Sequence, residues 1–104
     1  DNLVLLIDYN KIQALTTLDE GLPLNSLSAK LKAFNWNTIN IFDGHSFNSL
    51  INGFKKLKID KKPNAIIIHT TKGKGIKEFE NDPIWHARKI IGKDIEIAKK
   101  RLDI

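Results

Sequence analysis

Two short unbroken apolar runs and one alternating segment, each ended by a polar cluster, constrain this chain most. Leu3-Val4-Leu5-Leu6-Ile7 stops at Asp8, the segment Asn37 to Phe42 stops at Asp43-Gly44-His45, and Ala65 to Ile68 stops at His69. An unbroken apolar run of this length predicts a strand covered on both faces, as in parallel sheet. In the second strand Ile39 and Ile41 share one side. Between the strands the apolar spacing changes to three and four. Leu27, Leu31 and Phe34 form one helical stripe, with Asn25 or Ser26 as its cap. Phe47, Leu50, Ile51, Phe54 and Leu57 form another, capped by Ser46. Trp36 is expected to fill core, and Lys61-Lys62-Pro63-Asn64 to make a turn. Residues 11–25 read as irregular, punctuated by Gly21 and Pro23. Pro83 is expected to start a short helical turn through Trp85 and His86. A last helix over 93–102 would bury Ile95, Ala98 and Leu102.

The resulting order is strand, helix, strand, helix, strand, helix. It predicts an α/β fold: a three-layer sandwich with a parallel sheet and two right-handed βαβ crossovers. At 104 residues the chain is one domain at most. It opens on Asp1 and enters a strand at once, so it reads as part of a longer protein or one product of a split gene. A sheet of three strands is expected to pair at one edge with further chain.

The formal net charge is +5. Nucleic acid, phosphate-bearing substrates and membrane surface all suit such a balance. However, isoleucine, lysine and asparagine together make up 41 of the 104 residues, so a compositional bias explains most of the lysines as solvated surface. Lys55, Lys56, Lys58, Lys61 and Lys62 crowd one predicted helix end, where cations suit the helix dipole. Few aromatics are interleaved with them, and no nucleic-acid partner is expected. The sequence has no cysteine, hence no disulfide framework and no thiolate metal site. No apolar run approaches a bilayer span. A cytoplasmic, reducing location with no membrane partner is the expectation.

In an open parallel sheet the strand ends lie along one edge, and ligands bind there. Asp8 and Asn10, then Asp43 and His45, then His69 and Lys72 fall on that edge. Asn10 offers a neutral oxygen that suits a hard cation, and Asp8 and the backbone carbonyl of Ile12 offer more. Taken alone, Asn10 is more simply a turn former, with Asp8 ending the strand. His69-Thr70-Thr71-Lys72-Gly73-Lys74-Gly75 is a basic, glycine-broken loop leaving a buried strand. It is expected to present free backbone N–H groups and lysine charges to an anion. It is not a Walker loop, because it lacks the hydroxyl after lysine and the four-residue gap. His86 can give a proton or hydrogen bond to a substrate hydroxyl; considered by itself, it reads more simply as a ring packed on Trp85. His45 is expected to be structural, and His69 faces either the site or the core. No nucleophile has diagnostic context, so any chemistry here belongs to a cofactor.

Five blocks then occur in order: Asp1-Asn2-Leu3 through Asp8-Tyr9-Asn10-Lys11-Ile12-Gln13; Thr17-Leu18-Asp19-Glu20; Phe42-Asp43-Gly44-His45; His69 through Gly75; and Glu80-Asn81-Asp82-Pro83-Ile84-Trp85-His86. Together they resemble transketolase, above all the amino-terminal subunit of its split bacterial and archaeal form. The resemblance covers residues 1 to 88, and five blocks in register are specific where one is weak. It implies part of a thiamin-diphosphate-binding fold, with 1–104 a single partial diphosphate-binding domain. It implies an enzyme using thiamine diphosphate and a divalent metal, magnesium or calcium, to move a two-carbon ketol unit between sugar phosphates. Asn10 matches a metal ligand, Ile12 a residue whose carbonyl also ligates, and Lys72 a lysine near the cofactor. His86 matches the histidine that reaches cofactor and donor substrate. The implied partners are a carboxyl-terminal transketolase subunit or domain and a second copy, as homodimer or heterotetramer. The pentose phosphate pathway is the implied setting.

Two departures stand out. The family's Gly-Asp-Gly opening, about 30 residues before the asparagine, is not in this sequence, and Ala87 stands where glycine usually follows Trp-His. This piece alone is therefore expected to be inactive. Alternative readings are a 1-deoxy-D-xylulose-5-phosphate synthase-like enzyme, or a non-catalytic binding or assembly module that kept the fold.

Overall fold

The computed structural model describes residues 2–104; Asp1, which opens the first motif block, lies outside the described residues. The chain divides into two compact units. One holds the chain up to Asn10 together with Leu24–Thr70, the other Lys11–Pro23 together with Thr71–Ile104.

The first unit is built on a three-stranded sheet: β1 (Val4–Tyr9), β2 (Asn37–Ile41) and β3 (Asn64–His69), in the order β1-β3-β2. Both pairings are parallel, with Leu6 and Ile39 each opposite Ile66. The last strand in sequence is thus the central one. This accounts for its composition: Ala65, Ile66 and Ile67 are 0–2 % exposed, and branched side chains suit a strand covered on every side. Burying each isoleucine is worth about 1.5–3 kcal/mol.

Two helices cover β2 from opposite sides. Helix α2 (Leu27–Ala33) reaches it through the Ser28 and Thr38 hydroxyls, 2.8 Å apart. Helix α3 (Phe47–Phe54) reaches it at Gly53, where an added Cβ would collide with the end of the Ile41 side chain. Thr38 and Ile41 are an odd number of residues apart, so they point to opposite faces of the strand. The expected layers, helix on sheet on helix, are therefore present.

Several local expectations change. β1 is an edge strand, and Leu3, Val4, Leu5 and Leu6 remain 37–56 % exposed among the described residues. The apolar run reported the burial these side chains suit, not an element that covers them here. Ser46 caps α3 as expected, accepting from the Ser49 N–H at 3.2 Å. Ser26 holds the cap position of α2 in the left-handed region (φ 56°) but makes no side-chain cap bond. Phe34, Phe47, Ile51 and Phe54 are exposed rather than inward. Phe34 lies just past the end of α2, and α3 meets β2 closely at Gly53, at the end away from Phe47. Asn64 is not a turn residue. It opens β3, is buried, and clamps the preceding loop by accepting from the Lys58 N–H (3.1 Å) and donating to the Lys58 carbonyl (2.8 Å). The buried amide is thus paired at both ends.

The second unit has little regular structure. Its helix α1 (Leu18–Gly21) lies within the stretch expected to be irregular. An isolated antiparallel bridge joins Ile12 and Thr17, and Leu18 N–H donates to the Lys11 carbonyl at 2.9 Å. Phe79 is buried against Trp85, with ring centroids 4.0 Å apart. The Arg88 guanidinium sits 4.8 Å over the Trp85 ring, a cation–π contact. Helix α4 (Lys93–Leu102) is held to the 3₁₀ turn Lys77–Phe79 by the ion pair of Arg101 with Glu78. Ile95 and Leu102, expected inward, are 42 % and 50 % exposed. No helix among the described residues is long and apolar enough to cross a membrane.

Candidate cofactor site

The parallel register brings the ends of the three strands to one edge of the first unit, with Tyr9 opposite His69 and Ile41 opposite Ile68. The residues there brace each other. The Thr70 hydroxyl donates to an Asp8 carboxylate oxygen. The His69 ring lies between Tyr9 (centroids 5.3 Å apart, edge-on) and Phe42 (5.1 Å). Its Nε2 is 3.4 Å from the Asn40 side-chain oxygen. His69 is half-buried among these strand-end residues. Asp43 accepts from the His45 main-chain N–H at 3.1 Å, which ties the backbone of that turn.

Gly44 presses the same turn onto β3. Its N–H donates to the His69 carbonyl at 2.8 Å. A Cβ at Gly44 would lie 2.5 Å from Ile68 Cγ2 and 2.8 Å from that carbonyl oxygen. The Asp8–Thr70 bond and the Gly44 contact were not read from sequence, where only the run Phe42-Asp43-Gly44-His45 marked the place. Asn10, half-buried, is the residue directly after β1 and closes this unit.

Ile12, Lys72 and His86 belong to the second unit. Ile12 is half-buried in its bridge to Thr17. The turn after it is tied by Gln13 N–H to the Thr16 carbonyl at 2.9 Å. The Thr16 and Thr17 hydroxyls, Thr16 first, hold the Glu20 carboxyl below the usual carboxylate range.

The basic loop differs from its expected form. Its N–H groups at Lys74, Gly75 and Ile76 are taken within the loop region by Thr71 O, Glu80 Oε1 and Gly73 O. Gly73 (φ 76°) lies so close to the Phe79 carbonyl that no side chain fits, and Gly75 (φ 109°) also needs the left-handed region. Those three donors are therefore occupied within the loop region, and the lysines add positive charge. The two lysines are not equivalent. Lys74 Nζ is 3.8 Å from Glu80, while Lys72, half-buried, has no ion-pair partner among the described residues. The Lys72 carbonyl accepts from Asn81 N–H at 3.0 Å, fixing its backbone.

His86 ends the 3₁₀ turn Pro83–His86, as expected, and is exposed. Asp82 caps that turn by accepting from Ile84 N–H at 3.0 Å. The stack of Phe79, Trp85 and Arg88 fixes the residue before His86. Trp85 Nε1 is buried without a hydrogen-bond partner among the described residues. Ala87 has φ −133°, which any residue adopts, so alanine in place of glycine costs no backbone strain here.

Among the described residues no group of three or more His, Cys, Asp or Glu side chains could hold a metal. In the first unit Asn10 carries an amide oxygen, and in the second Ile12 carries a backbone carbonyl. Each is a neutral oxygen of the kind magnesium accepts, since that ion takes few protein ligands and is completed by phosphate. Lys72 in the second unit is a half-buried cation, in no ion pair among the described residues, of the kind that suits phosphate.

A family model described as transketolase, thiamine diphosphate binding domain, matches residues 1–104. An apulose-4-phosphate transketolase subunit of Phocaeicola vulgatus is 37 % identical over 87 residues, covering 83 % of this chain and 31 % of that protein. Its counterpart in Actinobacillus succinogenes is 30 % identical over 102 residues, 98 % of this chain and 37 % of that protein. The transketolase of Homo sapiens is 34 % identical over 88 residues, 85 % of this chain and 14 % of its own length. The chain thus spans little more than a third, or less, of these relatives. The crystal structure of transketolase from Campylobacter jejuni subsp. jejuni superposes with a TM-score of 0.83 at 23 % identity, over 99 % of this chain and 16 % of that one. At that identity the likeness bears on the fold.

Proposed function

The chain belongs to the transketolase family, matching its thiamine diphosphate binding domain, and from that premise we propose that it is part of an enzyme that transfers a two-carbon ketol unit between sugar phosphates. Residues 1–104 would form one partial diphosphate-binding domain, inactive alone. The observation that carries this reading is the match of 83–98 % of the chain to single subunits of apulose-4-phosphate transketolases. The implied partner is a carboxyl-terminal subunit or domain, in a homodimer or heterotetramer. The absence of cysteine suits the reducing cytoplasm.

Asn10 would give its amide oxygen, and Ile12 its carbonyl oxygen, to the metal, magnesium or calcium. Lys72 would set its ammonium against the diphosphate. Thiamine diphosphate, when bound, supplies the carbon nucleophile that this chain lacks. His86 would orient the donor sugar by hydrogen bonding to a hydroxyl and would move a proton there. Its position after the fixed Trp85 limits how far its backbone can wander, so less ordering remains for the substrate to impose.

The test is ketol transfer by the full natural chain together with its carboxyl-terminal partner, thiamine diphosphate, magnesium and sugar phosphates. Transfer that needs both chains supports the proposal. No saturable cofactor binding and no transfer to any sugar phosphate acceptor leaves the non-catalytic module as the answer.

A further inference from the structure

A concave region lies where the strands begin, at the opposite end of the sheet from the Asp8–Thr70 rim. It is a cleft of about 370 Å³ beside the start of β2, and Lys32, Lys56, Lys58, Lys62, Trp36 and Asn37 contribute to its walls. Three separate segments deliver the lysines. Lys32 comes from the last turn of α2, Lys56 and Lys58 from the chain just past α3, and Lys62 from the turn into β3. Compositional bias explains many lysines on a surface. It does not explain why those of three segments converge on one concavity.

The local negative charge is too small to balance them. The ends of α2 and α3 together carry at most about one negative charge as helix dipoles. The neighbouring carboxylate, Asp60, accepts from Lys62 N–H and from Asn37 Nδ2, both at 2.9 Å, and adds one negative charge, so the four lysines keep an excess of about two. That backbone bond, with the Lys58 and Lys62 charges, keeps its carboxyl below the usual range. None of the four ammonium groups is in an ion pair among the described residues. A concave wall with several uncompensated cations focuses positive potential and attracts a compact multivalent anion. The volume falls at the lower end of the range for small-molecule sites.

We propose that this cleft binds a small anion carrying two or more phosphate charges, of the size class of a diphosphate or a sugar bisphosphate. The Asn37–Asp60 bond and the Asn64 clamp on Lys58 hold its floor, so the lysines bind from a fixed frame.

The experiment is calorimetric titration of the full natural chain with inorganic pyrophosphate in metal-free buffer, in a Lys72→Gln background that weakens the proposed cofactor rim. Saturable binding of one pyrophosphate is expected. Adding K56Q and K58Q should weaken it at least tenfold, while adding K55Q and K61Q, which removes the same charge from outside the cleft, should leave it within twofold. Equal losses in the two double variants, or no saturable binding, would overturn the proposal. Tighter binding of an RNA oligonucleotide with a steep fall in salt would overturn it in favour of a polynucleotide surface. None of these outcomes depends on whether the chain transfers ketol units.

Discussion

Replacing Gly44 by alanine tests how the strand-end rim is held. The new Cβ would sit 2.5 Å from Ile68 Cγ2, 2.7 Å from Thr70 Cγ2 and 2.8 Å from the His69 carbonyl oxygen. Two of these atoms are side-chain methyls, but the third is backbone of the central strand and cannot rotate aside. The turn must lift, which lengthens the 2.8 Å bond from Gly44 N–H to that carbonyl. Overpacking of this kind costs about 1–3 kcal/mol, and a weakened hydrogen bond about 0.5–1.5 kcal/mol. Alanine returns about 0.4–1 kcal/mol by restricting the unfolded chain. A net loss of about 2 kcal/mol follows. With m near 1.5 kcal/mol/M, the urea midpoint should fall by roughly 1.3 M with m unchanged. The His69 and Thr70 amide resonances should shift most. A midpoint within about 0.3 M of the parent, with those resonances unmoved, would refute the close packing of this turn.

Three further outcomes are expected. Asn10→Leu should raise the magnesium concentration needed for half-saturating thiamine diphosphate binding by at least about tenfold; an unchanged requirement would remove Asn10 from the metal. His86→Ala should lower kcat of the assembled enzyme by about 10²- to 10⁴-fold, a larger loss than in cofactor affinity, whereas an unaltered kcat would return His86 to a purely packing role. The Glu78 carboxyl is held below its usual range, first by its bond to Arg101. Its folded pKa is depressed, so this contribution is complete above the unfolded value, about 4.3, and is lost as pH falls through the lower folded value. The difference in melting temperature between the parent and Glu78→Gln should therefore shrink on acidification below about pH 4, and a difference that is constant from pH 7 to pH 3 would contradict the pairing.

Legibility from sequence followed the length and regularity of the signal. β3 was plain because its isoleucines suit only a strand enclosed by neighbours, and α4 was found at its observed bounds because it runs for ten residues between Gly92 and Leu102. Helix α1 is four residues long, too short for a period of 3.6 to repeat, and only the Thr17 cap signals it. The exposure of β1 and Phe34 was not readable, since hydropathy states what a side chain suits and not which element arrives to cover it. The candidate cofactor residues were found by motif, and the structure added their local surroundings. That Glu80 engages both the Gly75 N–H and the Lys74 ammonium depends on a loop closure no spacing rule encodes. The difference between Lys72 and Lys74 therefore emerged only in three dimensions. The cleft at the strand starts was hidden for a similar reason, because three of its lysines, Lys56, Lys58 and Lys62, read as part of a crowded helix end in one dimension.

That difference permits the most direct test of the proposed diphosphate site. A lysine about 4 Å from a phosphate charge gains up to about 4 kcal/mol at an effective dielectric of 20, and desolvation leaves about 1.4–2.7 kcal/mol, or 10- to 100-fold in affinity. Thiamine diphosphate should be titrated with magnesium into the full natural chain and its Lys72→Gln and Lys74→Gln variants. Lys72→Gln should weaken binding at least tenfold and Lys74→Gln should leave it within twofold, because only Lys74 is already paired with Glu80. Equal affinity for all three proteins, or no saturable binding by the parent, would contradict that site.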